Sequence, residues 1–105
     1  MCSETLKNHF KEREIKVLEL IKEAGFFYEE IGVFGSYARG EYKSTSDIDF
    51  CIIVEQKPSR RISGPLREEA ELLGADIVFV TREYFETDTS LFAQNLRRDY
   101  RKYEE

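Results

Sequence analysis

The sequence predicts an α/β domain in which helices pack on a small three-stranded sheet. Two largely apolar runs, residues 47–54 and 75–80, have the length and the β-branched content of buried strands. Residues 3–24 instead repeat their apolar side chains at helical spacing. Helical and strand patterns alternate along the chain, an order typical of α/β domains. We therefore expect residues 1–105 to form a single domain.

Glycine marks the boundaries of the first elements. The first helix is expected to run from Ser3, its N-cap, to about Ala24. Gly25 then supplies the left-handed residue that commonly ends a helix. Residues 30–34 read as a first strand, and residues 36–46 as a short helix or turn followed by a loop.

The second half of the chain continues the alternation. Residues 47–54 form the second predicted strand, and a helix is expected over residues 65–73 because proline suits a first helical turn. Residues 75–80 form the third strand. Asp88 is expected to cap a final helix that ends near Tyr103.

Composition and charge limit the possible functions. The net charge of −5 argues against a protein built to neutralise nucleic-acid backbones, so we expect no direct nucleic-acid binding. No apolar run reaches the ~20 residues that cross a bilayer. Two cysteines and one histidine, without a Cys-x-x-Cys pair, suggest neither a disulfide framework nor a zinc site. The expected compartment is the cytoplasm.

Two aspartates stand at the start of the second strand. Residues two apart in a strand point to the same face, so Asp47 and Asp49 project together with Cα atoms roughly 7 Å apart. Their repulsion is acceptable if a divalent cation lies between them. Mg²⁺ is the obvious candidate because it takes one or two carboxylates and fills its other positions with water and phosphate oxygens.

Asp76 begins the third predicted strand. If that strand lies beside the second, at the usual spacing of about 4.8 Å, three carboxylates could surround one or two metal ions. Such an arrangement suits two-metal phosphoryl chemistry. Considered alone, Asp76 could equally be a turn or cap residue.

A glycine turn follows the first strand. Gly35 and Ser36 can expose backbone N–H groups that cradle phosphate oxygens, and glycine allows a ligand to approach the backbone closely. Arg39 lies three residues after Ser36, on the same side of a helical turn, where its guanidinium could pair with a phosphate. Alone, Arg39 could equally be a solvated or salt-bridged surface residue. The combination of these residues with the aspartates predicts a triphosphate and metal site.

Residues 35–40, GSYARG, followed by the Ser-Asp-Ile-Asp of residues 46–49, resemble the signature of the DNA polymerase β-type nucleotidyltransferase superfamily. The common form is Gly-Ser, a short spacer and Asp-x-Asp. The Ala-Arg-Gly and Ser-Asp-Ile-Asp details in so short a chain resemble the minimal nucleotidyltransferases. Many of these are antitoxins that pair with a HEPN-domain toxin. Phe50 stands where leucine is more usual, which is a conservative change.

The resemblance implies a polymerase β-like nucleotidyltransferase fold and a role for each motif residue. Asp47 and Asp49 would bind Mg²⁺, and Asp76 would complete the metal site and could activate the attacking hydroxyl. The residues implied to bind the nucleotide are Gly35, Ser36, Arg39 and Ser46. The implied reaction transfers AMP from ATP to a hydroxyl, a tyrosine of the partner toxin, and releases pyrophosphate.

Two other functions stay open. The protein could be a non-catalytic antitoxin that neutralises its partner by occlusion, or a small-molecule nucleotidyltransferase that acts, for instance, on an antibiotic. The second would need an acceptor pocket, for which 105 residues leave little material unless a homo-oligomer builds it. In the final helix, Phe92, Leu96 and Tyr100 recur at four-residue spacing. This stripe predicts packing on the sheet, with partner docking as the alternative.

Overall fold

The structure, a computed structural model, describes residues 3–41, 43 and 45–103, with side chains from residue 7 onward. In chain order the elements are α1 (Ser3–Glu23), β1 (Glu30–Phe34), α2 (Gly35–Ala38), β2 (Ile48–Val54), α3 (Arg60–Leu72), β3 (Ala75–Thr81), α4 (Arg82–Thr87), α5 (Leu91–Asp99) and β4 (Arg101–Lys102). Ser3 is thus the first helical residue and not the cap. Gly25, with φ of +76°, follows the end of α1 as predicted.

The strands form one mixed sheet in the order β3-β2-β1-β4. β2 and β3 are parallel, whereas β1 is antiparallel to both β2 and β4. The predicted fold class is confirmed, but the sheet has four strands and not three. The added strand is only two residues long, Arg101–Lys102, which is too short for a sequence pattern. It forms because the chain leaves α5 beside β1, where the Tyr103 N–H donates to the Ile31 carbonyl at 2.9 Å.

Helices cover both faces of the sheet, and the alternation of side chains along β2 divides the core between them. On one face β2 packs against α1 and α3, and the buried residues there include Phe10, Val17, Ile21, Ile48, Phe50, Ile52, Leu66 and Ala70. On the other face Cys51 and Ile53 pack with Val80 and with Leu96 of α5. Because every β2 residue from 50 to 54 is buried, the strand anchors whatever side chains stand at its start.

The third helix begins five residues before the predicted start. Pro65 lies inside α3, not in its first turn. The helix begins at Arg60 because Ser59 is extended, and its carbonyl accepts from the Ser63 N–H at 2.9 Å. Pro65 is exposed, so the helix has lost only one backbone hydrogen bond and buries no unpaired group there. Proline was therefore a misleading start signal in this segment.

The final helix predicted from Asp88 to Tyr103 is wrong in its bounds, because α5 spans only Leu91–Asp99 and the chain then enters β4. Asp88 lies between α4 and α5 and accepts from the Ser90 N–H at 3.0 Å. Ser90 caps α5, with its hydroxyl accepting from the Ala93 N–H at 3.2 Å. Arg97 donates to the Phe85 and Asp88 carbonyls at 2.7 and 2.9 Å. These bonds stabilise the corner between the two helices.

Two remaining expectations concern cysteine and membranes. Cys51 is a buried free thiol in β2, while Cys2 lies outside the described residues. Among the helices described, none combines the length and the apolar character needed to cross a bilayer.

Candidate active site

The ends of three neighbouring strands bring the predicted residues together. Asp49 of β2 pairs with Phe34 at the end of β1 and with Asp76 at the start of β3. Gly35 follows Phe34 directly, so Gly35, Asp49 and Asp76 form a row across one end of the sheet. Directly paired residues in adjacent strands point to the same face, and here that face also carries α4 and α5. The expected neighbourhood of the two carboxylate strands is confirmed.

Asp49 lies in the middle of this row. It is half-buried, and burial raises its pKa to about 6, with further contributions from the nearby charges of Asp76 and Asp47. Asp47, two residues earlier in the chain, and Asp76, the β3 partner of Asp49, are both exposed. Asp47 lies just before β2, which begins at Ile48 and not at residue 47 as predicted. The site therefore holds unfavourable negative charge at neutral pH.

Gly35 lies directly against the Asp49 carboxylate. A Cβ atom at position 35 would come 2.6 Å from Asp49 Oδ2, and the backbone φ there is +74°. The positive φ favours glycine, and an added Cβ would also displace the Asp49 carboxylate. Ser36 follows in α2, half-buried, and its carbonyl accepts from the Glu41 N–H at 2.9 Å. The glycine turn and the aspartate strand are thus packed as one unit.

Arg39 makes two ion pairs within the protein. Its Nη1 lies 2.6 Å from Asp99 Oδ2, and its Nε lies 2.9 Å from Glu41 Oε1. The Asp99 side chain is only 5% exposed and also pairs with Arg98. In this arrangement Arg39 joins α2 to α5, and its predicted contact with phosphate stays a prediction.

The C-terminal segment makes a second contact with α2. Arg101 of β4 donates from Nη1 to the Ala38 carbonyl at 2.9 Å. Sequence reasoning missed both Arg101 and Asp99 as neighbours of the glycine turn. No local signal could have found them, because each lies about sixty residues away along the chain.

Ser46 lies in the turn before β2. Its hydroxyl accepts from the Lys43 N–H at 2.8 Å, and its own N–H donates to the Lys43 carbonyl at 2.9 Å. Ser46 and Asp47 line a cleft of about 550 Å³ that also contains Arg13. The hydroxyl of Ser46 therefore supports the turn that presents Asp47.

The described residues do not form a preformed metal cage. Within residues 3–41, 43 and 45–103, no group of three or more Asp, Glu, His or Cys side chains is arranged to hold an ion by itself. Mg²⁺ does not need such a cage, because it keeps several waters and binds through one or two carboxylates and substrate phosphates. The perturbed Asp49 between two further carboxylates fits this kind of site. A bound nucleotide would supply the missing oxygens.

Comparison with known families decides the assignment. Residues 15–103 match the family described as nucleotidyltransferase domain. The chain belongs to this family. The matched range contains β1 to β4 and every predicted site residue, so the resemblance inferred from residues 35–50 is confirmed.

Individual relatives of this chain were also found. Protein adenylyltransferase MntA of Thermococcus cleftensis is 45% identical over 58 residues, which cover 54% of this chain and 59% of that protein. A toxin–antitoxin structure with AMP-PNP has a TM-score of 0.61 at 21% identity and covers 85% of this chain and 70% of that one. A structure of a tri-AMPylated Shewanella oneidensis HEPN toxin in complex with MNT antitoxin has a TM-score of 0.57 at 17% identity. The match covers 88% of this chain and 69% of that one. The two structures establish the likeness of fold.

Proposed function

We propose that this nucleotidyltransferase transfers AMP from ATP to a hydroxyl of a partner protein. The observation that carries the proposal is the row of Gly35, Asp49 and Asp76, in which a glycine that tolerates no Cβ lies against a perturbed carboxylate. Such a row can hold a triphosphate beside a divalent cation, which is the arrangement that phosphoryl transfer requires.

The names of the relatives support the choice of nucleotide and acceptor. One is called a protein adenylyltransferase, one structure contains AMP-PNP, and another contains an AMPylated HEPN toxin with its antitoxin. The chain spans 59% of the length of the MntA protein that it matches. By likeness to these proteins, we propose ATP as the donor, a HEPN-type toxin as the partner, its tyrosine as the acceptor, and antitoxin as the biological role.

Each site residue then has a chemical role. Asp47 and Asp49 would hold Mg²⁺, with Asp76 as the third carboxylate. When bound, the cation would neutralise the charge that develops on the phosphate oxygens. Gly35 and Ser36 would hold the β- and γ-phosphates through the backbone and the hydroxyl. Arg39 and Ser46 would maintain this geometry, because their polar groups bind α5, Glu41 and the turn before β2.

The reaction balances without a further reactant. The acceptor oxygen attacks the α-phosphorus, and the bond from that phosphorus to the bridging oxygen of the β-phosphate breaks. Pyrophosphate leaves, and the acceptor hydroxyl becomes a phosphodiester of AMP. The hydroxyl proton passes to the Asp76 carboxylate, which is exposed at the start of β3 and can return it to solvent.

The proposal is tested with ATP labelled on its α-phosphate. Purified protein, Mg²⁺ and a lysate of the source cells are incubated, and labelled protein bands are sought. Asp49→Asn should abolish the band. Asp88→Asn is the matched control, because an asparagine oxygen can still accept from the Ser90 N–H, and it should label like the wild type.

The control for the negative result is binding of a partner. If the wild type binds a partner in that lysate but transfers no label to it, transfer to protein is refuted and neutralisation by occlusion takes its place. Label on a small molecule with no protein band would favour the small-molecule nucleotidyltransferase.

A further inference from the structure

A second cavity lies along β3 from Val78 to Thr81, and Val78 is its β3 lining residue nearest to the carboxylate row. It has a volume of about 400 Å³ and is lined by Lys57, Val78, Tyr84 and Phe92, among others. Val78 follows Asp76 by two residues, so it points to the same face of the sheet at a distance of roughly 7 Å along the strand. The cavity is therefore a continuation of the face that carries the candidate active site.

Phe92 connects this cavity with the middle of the row. Its ring packs edge-on against Phe34, with the ring centroids 6.0 Å apart. Phe34 is the direct strand partner of Asp49. Phe92 is nevertheless 45% exposed, although Ala93, the next residue of α5, is buried. An aromatic ring that is held at one edge and open at the other can contact a ligand.

The order of the strands assigns a direction to the reaction. Gly35 lies at the β1 side of the row, Asp49 in the middle and Asp76 at the β3 edge of the sheet. If the triphosphate lies on Gly35, pyrophosphate leaves toward β1. The attacking and leaving oxygens are roughly in line in phosphoryl transfer. The attacking hydroxyl must then approach from the β3 side, where this cavity lies.

The lining indicates which acceptor fits. The described residues that line the cavity are aromatic or aliphatic apart from Thr81 and Lys57, and none is acidic. The clefts beside Ser46 and Phe27 each contain two acidic residues. Aromatic rings prefer edge-on or offset contacts with centroids about 4.5–7 Å apart, which Phe92 and Tyr84 can offer to a third ring.

We propose that this acceptor groove, formed by Lys57, Val78, Tyr84 and Phe92, binds the phenol ring of the tyrosine that receives AMP. The inference rests on the proposed function and extends it, since it states where the acceptor enters. The phenol oxygen would point along β3 toward Asp76, which takes its proton. Hydroxyl acceptors without an aromatic ring would bind the groove poorly.

Binding is tested without catalysis. N-acetyl-tyrosinamide is titrated into isotope-labelled protein without ATP, and backbone amide shifts are followed by NMR. We expect shifts at Val78, Tyr84 and Phe92 that Phe92→Ala removes. The matched control is Phe27→Ala, which truncates a phenylalanine that is 96% exposed in a different cleft. Shifts confined to that other cleft, or shifts unchanged by Phe92→Ala, would overturn the proposal.

Transfer kinetics give the second measurement. With ATP, Mg²⁺ and the same tyrosine probe, Phe92→Ala should raise the KM for the acceptor on the order of tenfold, as expected for one lost aromatic contact. The KM for ATP should not change. A rise in the KM for ATP alone would reassign the groove to the nucleotide and overturn the inference. If the ring binds at the groove in a Phe92-dependent way but the wild type transfers nothing, the groove stands as a ring-binding site and the proposed function fails.

Discussion

Replacing Asp49 with asparagine should make the protein more stable while it removes the candidate activity. In the folded protein the pKa of Asp49 rises from an ordinary 3.8 to about 6, because the carboxyl is half-buried and lies beside Asp76 and Asp47. Each pKa unit corresponds to 1.36 kcal/mol, so the ionised carboxylate costs about 2–3 kcal/mol of unfolding free energy above pH 7. Asparagine has nearly the same shape and carries no charge, so this cost disappears.

The sign of the pH dependence follows from the same shift. The folded state binds the Asp49 proton more tightly than the unfolded state does. The stability that this proton contributes is fully present below about pH 4 and is lost as pH rises through about 6. Between pH 4 and pH 7, Asp49 alone should therefore lower the free energy of unfolding of the wild type by about 2–3 kcal/mol. The unfolding free energy of the Asp49→Asn protein should not show this decrease with pH.

Urea unfolding at pH 4.5 and pH 7.5 in the presence of a chelator measures the effect. The free energy of unfolding of Asp49→Asn should be higher than that of the wild type at pH 7.5. The difference should be much smaller at pH 4.5. Asp88→Asn is a control of opposite sign, because the Ser90 hydroxyl and N–H lower the pKa of Asp88. Adding Mg²⁺ at pH 7.5 should stabilise the wild type and leave Asp49→Asn unchanged. If Asp49→Asn were less stable than the wild type at pH 7.5, the ionised Asp49 carboxylate would not destabilise the folded protein and this reasoning would be wrong.

Three further predictions concern other parts of the molecule. Gly35→Ala should lose about 1–3 kcal/mol more stability than Gly25→Ala in urea unfolding, because both glycines have positive φ but only position 35 lacks space for a Cβ. Equal losses would contradict the close approach at Gly35. Tyr103→Phe should cost about 1–3 kcal/mol by the same measurement, since the Tyr103 hydroxyl donates to the buried Glu14 carboxylate. If Tyr103→Phe left the unfolding free energy unchanged, water would have replaced the Tyr103 hydroxyl as the partner of Glu14. Burial raises the pKa of the Cys51 thiol to about 12, so a thiol reagent at pH 8 should modify Cys51 only after unfolding, as followed by mass spectrometry. Rapid modification of the folded protein would show that β2 opens locally.

Much of this molecule could be predicted from local patterns. The boundaries of α1, β1, β2 and β3 lie within one residue of those expected, because each has a periodicity or a run of apolar residues that its burial requires. The motif of residues 35–50 was also recognisable, since a glycine turn and a pair of aspartates act within one short segment. The predicted roles of these residues stay predictions until the transfer experiment is done.

Local patterns failed where several short elements compete for similar signals. Pro65 suggested a helix start but lies within α3, and Asp88 suggested a cap that Ser90 provides. β4 has two residues and forms only because β1 is beside it. In each case the deciding contact comes from packing, which a single-sequence pattern does not contain.

The fold class, the order of the main elements and the family motif can all be read from local sequence patterns. Three features depend on how the chain folds in space: the register of Asp76 with Asp49, the ion pair of Arg39 with Asp99, and the cavity along β3 that Phe92 lines. The physical reason is the distance along the chain over which each interaction acts. Periodicity and turn chemistry act over a few residues, whereas strand register, ion pairs and cavities depend on how distant segments pack together.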